Sequence, residues 1–211
     1  MAGYVRIYAG IAAAIAWGAL IFSLVLDLAG PDAAGAVLGR FVSSFTIQTN
    51  AMAALAFTAV AAEPRRIRRT AFIGAIAVYL FIVALVYFAE FHGALETTGL
   101  RRIPDAALHD GVPLLFLAFW AVFTPKGLLT WRAPFLWLVF PLAYLAFTLT
   151  RGALTGVYSY PFLDAAALGY ARVVVNGLVL MAVYLVVGGL LVLADCGLSC
   201  FSRTPYSPGA A

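Results

Sequence analysis

Long apolar stretches alternate with short polar connections along the whole chain. A run of about 18 or more apolar residues can cross a bilayer as an α-helix, and the sequence contains six such candidates. They lie near residues 4–26, 43–62, 71–91, 106–124, 135–151 and 169–194. The pattern predicts an all-α fold: a polytopic membrane protein whose residues 1–195 form one bundle of six transmembrane helices. Residues 196–211 are too poor in apolar side chains to fold, and we expect a short disordered cytoplasmic tail.

The composition supports a membrane protein and argues against several soluble classes. Of the 211 residues, 64% are hydrophobic and only 10% are charged, whereas soluble domains average about 25% charged residues. The sequence has no nucleic-acid-binding motif, and no glycine-rich phosphate loop that would indicate a nucleotide. We therefore attribute the net charge of +4 to membrane topology rather than to a nucleic-acid partner.

The distribution of lysine and arginine predicts the orientation in the membrane. Cytoplasmic loops carry an excess of these residues, and six spans place both termini on one side. That side carries eight of the thirteen basic residues, four of them in the short loop EPRRIRR (residues 63–69). We expect a multi-pass protein of the cell membrane with both termini in the cytoplasm. Cys196 and Cys200 are then expected to be free thiols, because the cytoplasm is reducing.

Polar side chains concentrate at the predicted outer end of the bundle. The second span opens with FVSSFTIQTN, residues 41–50, and both histidines, His92 and His109, lie at a similar depth. The fifth span ends at Arg151, and the sixth begins near Arg172. Polar groups at membrane depth are costly and usually mark a functional site or its support. Each of them alone also fits a structural role, such as a helix cap or a contact with lipid head groups.

Pro113 follows His109 by four residues and affects the predicted fourth span. Proline cannot donate a hydrogen bond to the carbonyl four residues earlier, and its ring presses against that carbonyl. If the helix starts near Asp105, we expect it to be kinked at His109. Irregular backbone at membrane depth is tolerated where it is buried in protein or lines a cavity. A shorter helix that begins at Asp110 and leaves His109 in solvent fits the sequence equally well.

A hydroxyl and a histidine at one depth favour acyl-transfer chemistry. A hydroxyl becomes a useful nucleophile when an adjacent base accepts its proton, and Thr46 and His109 each lie in the first turn of a span. Ser43, Ser44 and Thr49 are alternative hydroxyls. Supporting or binding roles are predicted for five further residues. The oxyanion donor is either Asn50 or the exposed backbone N–H groups at helix starts. Asp110 is expected to orient His109 and Arg151 to contact a carboxylate or head group, with Arg172 and His92 beside them.

Four segments resemble a bacterial six-helix membrane family labelled Pr6Pr. They read FTIQTN, LHDGVPLLFLAFW, PLAYLAFTLTRGALTGVYSYPFLD and LGYARVVVNGLVL. The resemblance extends from about residue 5 to 195, and its most specific part is a loop of the form RGA…YPYPF, which this chain writes as YSYPF. It implies the six-helix fold and brings no settled activity with it.

More distantly, the chain is similar to the eukaryotic androgen-induced membrane hydrolases. These are threonine hydrolases with six spans that cleave fatty-acid esters of hydroxy fatty acids, using one threonine and one histidine. The resemblance implies that Thr46 is the nucleophile and His109 the base of a hydrolase, and it indicates a reaction class rather than a substrate. Our own expectation for the partners is membrane lipids and an acyl ester.

Other functions stay open at this stage. A non-enzymatic lipid-binding or accessory subunit would use the same polar pocket. A small-molecule transporter is also possible, although transporters typically place polar groups near the midplane. We predict no cofactor and no metal, because a C-x-x-C-H haem motif is missing and the spacing of His92, His109, Glu90 and Glu96 fits no zinc pattern.

Overall fold

The computed structural model describes residues 2–91 and 99–202, and these form ten α-helices joined by short turns. The helices are α1 (Ala2–Leu28), α2 (Ala34–Val42), α3 (Phe45–Ala62), α4 (Thr70–Phe91), α5 (Arg102–Ala106), α6 (Val112–Phe123), α7 (Ala133–Trp137), α8 (Val139–Thr155), α9 (Ala165–Leu168) and α10 (Tyr170–Ser202). Short 3₁₀ turns precede α4, α5 and α9, and a π turn, Ala107–Gly111, separates α5 from α6.

Six helical segments are long and apolar enough to cross a membrane. They are Gly3–Leu28, Phe45–Ala62, Thr70–Ala89, Gly99–Phe123, Ala133–Thr155 and Tyr170–Cys200. The predicted all-α fold with six spans is therefore confirmed, and the chain has the architecture of a multi-pass membrane protein. The fourth span is composite, because it contains α5, the π turn and α6. The fifth span likewise contains α7 and α8.

The structure differs from the sequence prediction at two places. The connection after the first span contains an extra helix, α2, which buries Val37 and carries Arg40 in an ion pair with Asp32. The last helix continues to Ser202, beyond the predicted domain end at residue 195, and carries both exposed cysteines as free thiols. Residues 203–211, the rest of the predicted tail, lie outside the described part of the chain.

Small residues bring α1 and α3 together. Ala9, Ala12 and Ala16 of α1 and Ala53 and Ala54 of α3 are almost completely buried, and α3 is the main neighbour of α1. Small side chains let helix backbones approach closely within a membrane, where association depends on packing rather than on the exclusion of water. This contact fixes the first two spans against each other.

A cluster of aromatic side chains fixes the start of α3. Phe45 packs against Tyr144, with ring centroids 4.9 Å apart, and the Tyr144 hydroxyl donates to the Ser43 carbonyl at 2.9 Å. The Tyr79 hydroxyl donates to the Trp137 carbonyl at 2.7 Å, which joins α4 to α7. The turn between α2 and α3 is thereby held against α8, and this positions the first turn of α3.

Candidate functional site

The start of α3 separates Thr46 from the other candidate hydroxyls. Ser43 donates to the Gly39 carbonyl at 2.6 Å, and Thr49 donates to the Phe45 carbonyl at 2.9 Å. Ser44 is the N-cap of α3, because its Oγ accepts from the N–H of Ile47. The Thr46 hydroxyl makes no hydrogen bond to any residue that the structure describes. Thr46 lines two neighbouring cavities, so its hydroxyl is the one best placed for chemistry.

The fourth span is irregular at His109, as Pro113 predicts. The N–H of Val112 donates to the carbonyl of Ala107 across the π turn, and Pro113 has no N–H. The Leu108 carbonyl instead accepts from Asn50 Nδ2 at 3.1 Å. Because helix begins at Arg102, the alternative of a helix that starts at Asp110 is wrong. The His109 side chain is only 19% exposed, so it does not stand in open solvent.

Asp105 and Tyr87 surround the His109 ring. Nδ1 of His109 lies 3.0 Å from the Asp105 carbonyl oxygen and 3.1 Å from the Asp105 Oδ1 atom. The Tyr87 ring stacks on the imidazole, with centroids 4.1 Å apart and planes inclined by 13°. The Tyr87 hydroxyl donates to Asp105 Oδ2 at 2.5 Å. In the tautomer that carries its proton on Nδ1, the ring donates to the Asp105 oxygen atoms. Nε2 is then unprotonated and can accept a proton.

The predicted role of Asp110 is therefore corrected. The side chain beside Nδ1 of His109 belongs to Asp105, one helical turn earlier, whereas Asp110 is exposed and lines neither cavity. In a helix, residues four apart share a face and adjacent residues do not, which is why Asp105 reaches the ring.

The predicted role of Asn50 is also corrected. Asn50 is completely buried, and its Nδ2 donates to the carbonyls of Thr46, at 2.9 Å, and Leu108, at 3.1 Å. Both amide hydrogens are thus engaged, and none remains for an oxyanion. Its Oδ1 is buried without a partner among the described residues. Asn50 braces α3 against the π turn, next to the two residues of the candidate pair.

Two cavities meet at the candidate pair. We call the first the apolar cleft: it is narrow, about 60 Å³, and is lined mainly by apolar side chains such as Ile82, Val83, Leu180 and Met181. We call the second the polar vestibule: it is wider, about 430 Å³, and its lining includes Asp27, Arg40, Arg101 and Asp105. Four residues line both cavities and so mark their junction: Thr46, Tyr87, His109 and Tyr160.

The remaining predicted site residues are not brought to the junction. Arg151 donates to the carbonyl of Val157 at 3.3 Å, Arg172 is exposed, and neither lines the cleft or the vestibule. His92 lies outside the described residues. Arg101 takes the place that we predicted for Arg151: it lines the vestibule and forms an ion pair with Asp27 at 2.6 Å.

Among the described residues, no group of three or more His, Cys, Asp or Glu side chains could hold a metal ion; His92 and Glu96 lie outside that part of the chain. No family model, curated protein or solved structure matches the chain. The resemblances to six-helix families therefore stay predictions, and the function has to be argued from the site.

Proposed function

We propose that this protein is an integral membrane hydrolase of fatty-acyl esters, with Thr46 as the nucleophile and His109 as the general base. The observation that carries the proposal is the junction of the two cavities, where a hydroxyl without a partner among the described residues and a histidine with an oriented ring line the same space. An activated hydroxyl beside a base that a third group orients is the general arrangement of nucleophilic catalysis.

The proposed reaction proceeds in two steps. His109 Nε2 takes the hydroxyl proton of Thr46 as Oγ1 attacks the ester carbonyl, and the same proton then passes to the leaving alcohol, which gives an acyl-threonine. His109 next takes a proton from water, whose oxygen attacks the acyl carbonyl, and returns it to Thr46 as the fatty acid departs. Asp105 holds the ring through Nδ1, and Tyr87 holds the Asp105 carboxylate.

The oxyanion would be stabilised by the start of α3 rather than by Asn50. The first N–H groups of a helix have no partner within that helix, and the positive end of the helix dipole favours negative charge there. Thr46 lies in this first turn, so the charge of a tetrahedral intermediate would develop next to it.

The chemistry of the two cavities supports a lipid ester as substrate. The apolar cleft suits an acyl chain, because its lining is mainly apolar and a head group placed there would lose its hydration without replacement. The vestibule, with its arginine and aspartate side chains, suits the polar alcohol portion and the water that hydrolyses the intermediate. The ester bond would then lie at the junction, between Thr46 and His109.

We also propose that both termini are cytoplasmic and that the vestibule faces the opposite side. The support is the arginine-rich loop 63–69 at the end of the bundle that carries the termini. Cys200, the last residue of the sixth span, is exposed at that end, so it tests the orientation. A membrane-impermeant maleimide should label it only after intact cells are permeabilised. Labelling of Cys200 in intact cells would show that the orientation is the reverse of the one proposed.

Fluorophosphonate labelling of the purified protein tests the nucleophile. We expect the wild type and Thr46→Ser to be labelled, and Thr46→Val and His109→Ala to be unlabelled. Thr46→Val is the informative change, since it keeps the branched shape and removes only the hydroxyl. Ser23→Ala is the matched control, because Ser23 lines the same vestibule from α1 and takes no part in capping α3. An unlabelled wild type that retains co-purified lipid would instead support the non-enzymatic lipid-binding alternative.

Two neighbouring carboxylates test the base. Asp105→Asn should lower the rate of ester cleavage by about 100-fold or more, within the range that general bases contribute, because the Nδ1 contact would be altered. Asp110→Asn removes the same charge one turn away on an exposed position and should leave the rate within a factor of about three. Equal losses in both variants would show that only the local charge matters, and that Asp105 does not orient His109.

A further inference from the structure

A second groove lies at the other end of the bundle, away from Thr46. It runs between the C-terminal half of α3 and the start of α4, and has a volume of about 220 Å³. Its walls are apolar: Met52, Leu55, Ala56, Ala59, Val60, Phe72 and Ile73. Leu55 and Phe72 are 58% and 55% exposed, so the groove opens sideways, toward the surface that lipid would cover.

Two arginines close the polar end of this groove. Arg66 and Arg69 are the charged residues in its lining. Arg66 contacts Glu63 through Nε at 3.1 Å, in a pair that is about half exposed on both sides, which leaves its terminal guanidinium nitrogens available. Arg69 forms no ion pair with any residue that the structure describes. The adjacent N-terminus of α4 adds the positive end of a helix dipole.

We propose that this groove binds one anionic phospholipid, with an acyl chain between the apolar walls and the phosphate on Arg66 and Arg69. Basic pockets between membrane helices are typical sites for acidic head groups, and arginine suits phosphate because its planar fork donates two parallel hydrogen bonds. The apolar walls favour a lipid over a free phosphate ion, because only a lipid has an acyl chain that these walls can bury. The site is separate from the Thr46–His109 junction.

Native mass spectrometry of the purified full chain tests the head-group contact. The probes are phosphatidylglycerol and phosphatidylcholine with identical acyl chains. The variant Arg66→Gln/Arg69→Gln should bind phosphatidylglycerol about 30-fold more weakly, since each basic residue contributes about 1 kcal/mol and 1.4 kcal/mol is tenfold. The control Arg65→Gln/Arg68→Gln removes the same charge from the same turn, and neither residue is in the lining of this groove. Equal losses in the two variants would overturn the proposal, because only the surface potential would then matter.

A third variant tests whether the acyl chain occupies the groove. Ala59 is partly exposed on its wall, so Ala59→Phe should fill the space while both arginines remain. We expect it to weaken phosphatidylglycerol binding by about tenfold or more, and we expect excess inorganic phosphate to leave wild-type lipid binding intact. Unchanged lipid binding by Ala59→Phe, or complete displacement by phosphate, would make this a plain phosphate site. All of these readouts are independent of ester hydrolysis.

Discussion

The substitution Asn50→Leu tests whether Asn50 supports the structure or donates a hydrogen bond to the oxyanion. In Asn50→Leu, a side chain of similar size replaces the amide, and two hydrogen bonds to the carbonyls of Thr46 and Leu108 are lost. The Thr46 carbonyl still accepts from the Thr49 hydroxyl at 3.1 Å. The Leu108 carbonyl loses its contact with α3.

The expected loss of stability follows from these contacts. Side-chain hydrogen bonds between membrane helices average about 0.6 kcal/mol each, which applies to the bond to the Leu108 carbonyl. The bond to the Thr46 carbonyl lies within α3 and should contribute about the same at most, so the two together contribute up to about 1.2 kcal/mol. An unsatisfied Leu108 carbonyl adds a cost of about 1–3 kcal/mol, and removal of the unpartnered Asn50 Oδ1 relieves a cost in the same range. The net loss should be about 1–2 kcal/mol. In a chain of this size that lowers the melting temperature by about 2–8 °C.

Thermal unfolding in detergent and the rate of fluorophosphonate labelling should be measured together. If Asn50 is a brace, the melting temperature falls and the labelling rate falls by less than about tenfold. Loss of an oxyanion donor instead costs about 100- to 1000-fold in rate. A rate loss of that size with an unchanged melting temperature would refute the brace. Thr49→Val is the matched control: its hydroxyl bonds only to carbonyls of its own helix, so less than about 1 kcal/mol should be lost.

Two further substitutions test the packing that supports the site. Gly74→Ala should destabilise the protein by about 1–3 kcal/mol through overpacking, because the new Cβ would lie 2.9 Å from the Trp137 ring. The control Gly18→Ala places its Cβ where nothing lies within 4 Å and should leave stability unchanged. Equal melting temperatures for the two variants would contradict the overpacking. Tyr144→Phe should cost about 1 kcal/mol, the net worth of a typical hydrogen bond, because it removes the bond to the Ser43 carbonyl at 2.9 Å. An unaltered denaturation midpoint for Tyr144→Phe would show that this bond does not hold the start of α3.

The six spans could be predicted from sequence because a bilayer imposes a minimum apolar length on any helix that crosses it. The irregularity at His109 could be predicted as well, since the consequence of a proline is local: Pro113 removes one particular N–H. Sequence also placed Thr46 and His109 at similar depth. Their position on the same two cavities was a consequence of packing that depth alone does not determine.

The misplaced residues share one cause. Depth along a helix is a single coordinate, and it does not state which way a side chain points around the helix axis. Arg151 lies near the end of α8 and Arg172 near the start of α10, but neither residue lines a cavity of the site. Helices that are apolar on every face give no periodic signal for the buried side. The stacking of Tyr87, from α4, on the His109 ring therefore could not be predicted from the sequence. The spacing of four between Asp105 and His109 is visible in the sequence, and it indicates that Asp105 rather than Asp110 contacts the ring.

We expect Pro113→Ala to abolish activity without lowering stability, whereas most substitutions in a protein core lower stability. Alanine restores an N–H and removes the ring that opposes a regular helix, so the span can relax from the π turn, Ala107–Gly111, to α geometry. Stability should then stay equal or rise, by at most the ~3 kcal/mol that an interior proline costs. Loss of the extra residue of a π turn rotates the preceding segment by about 100°, the angle per residue of an α-helix, and turns His109 out of the junction of the two cavities. Fluorophosphonate labelling should therefore disappear while the melting temperature holds or increases.

A labelled Pro113→Ala protein would show that the π turn does not depend on the proline, or that His109 is not the base. A lower melting temperature would show that the surrounding helices require the π turn, which would make it part of the fold rather than a feature maintained for the site.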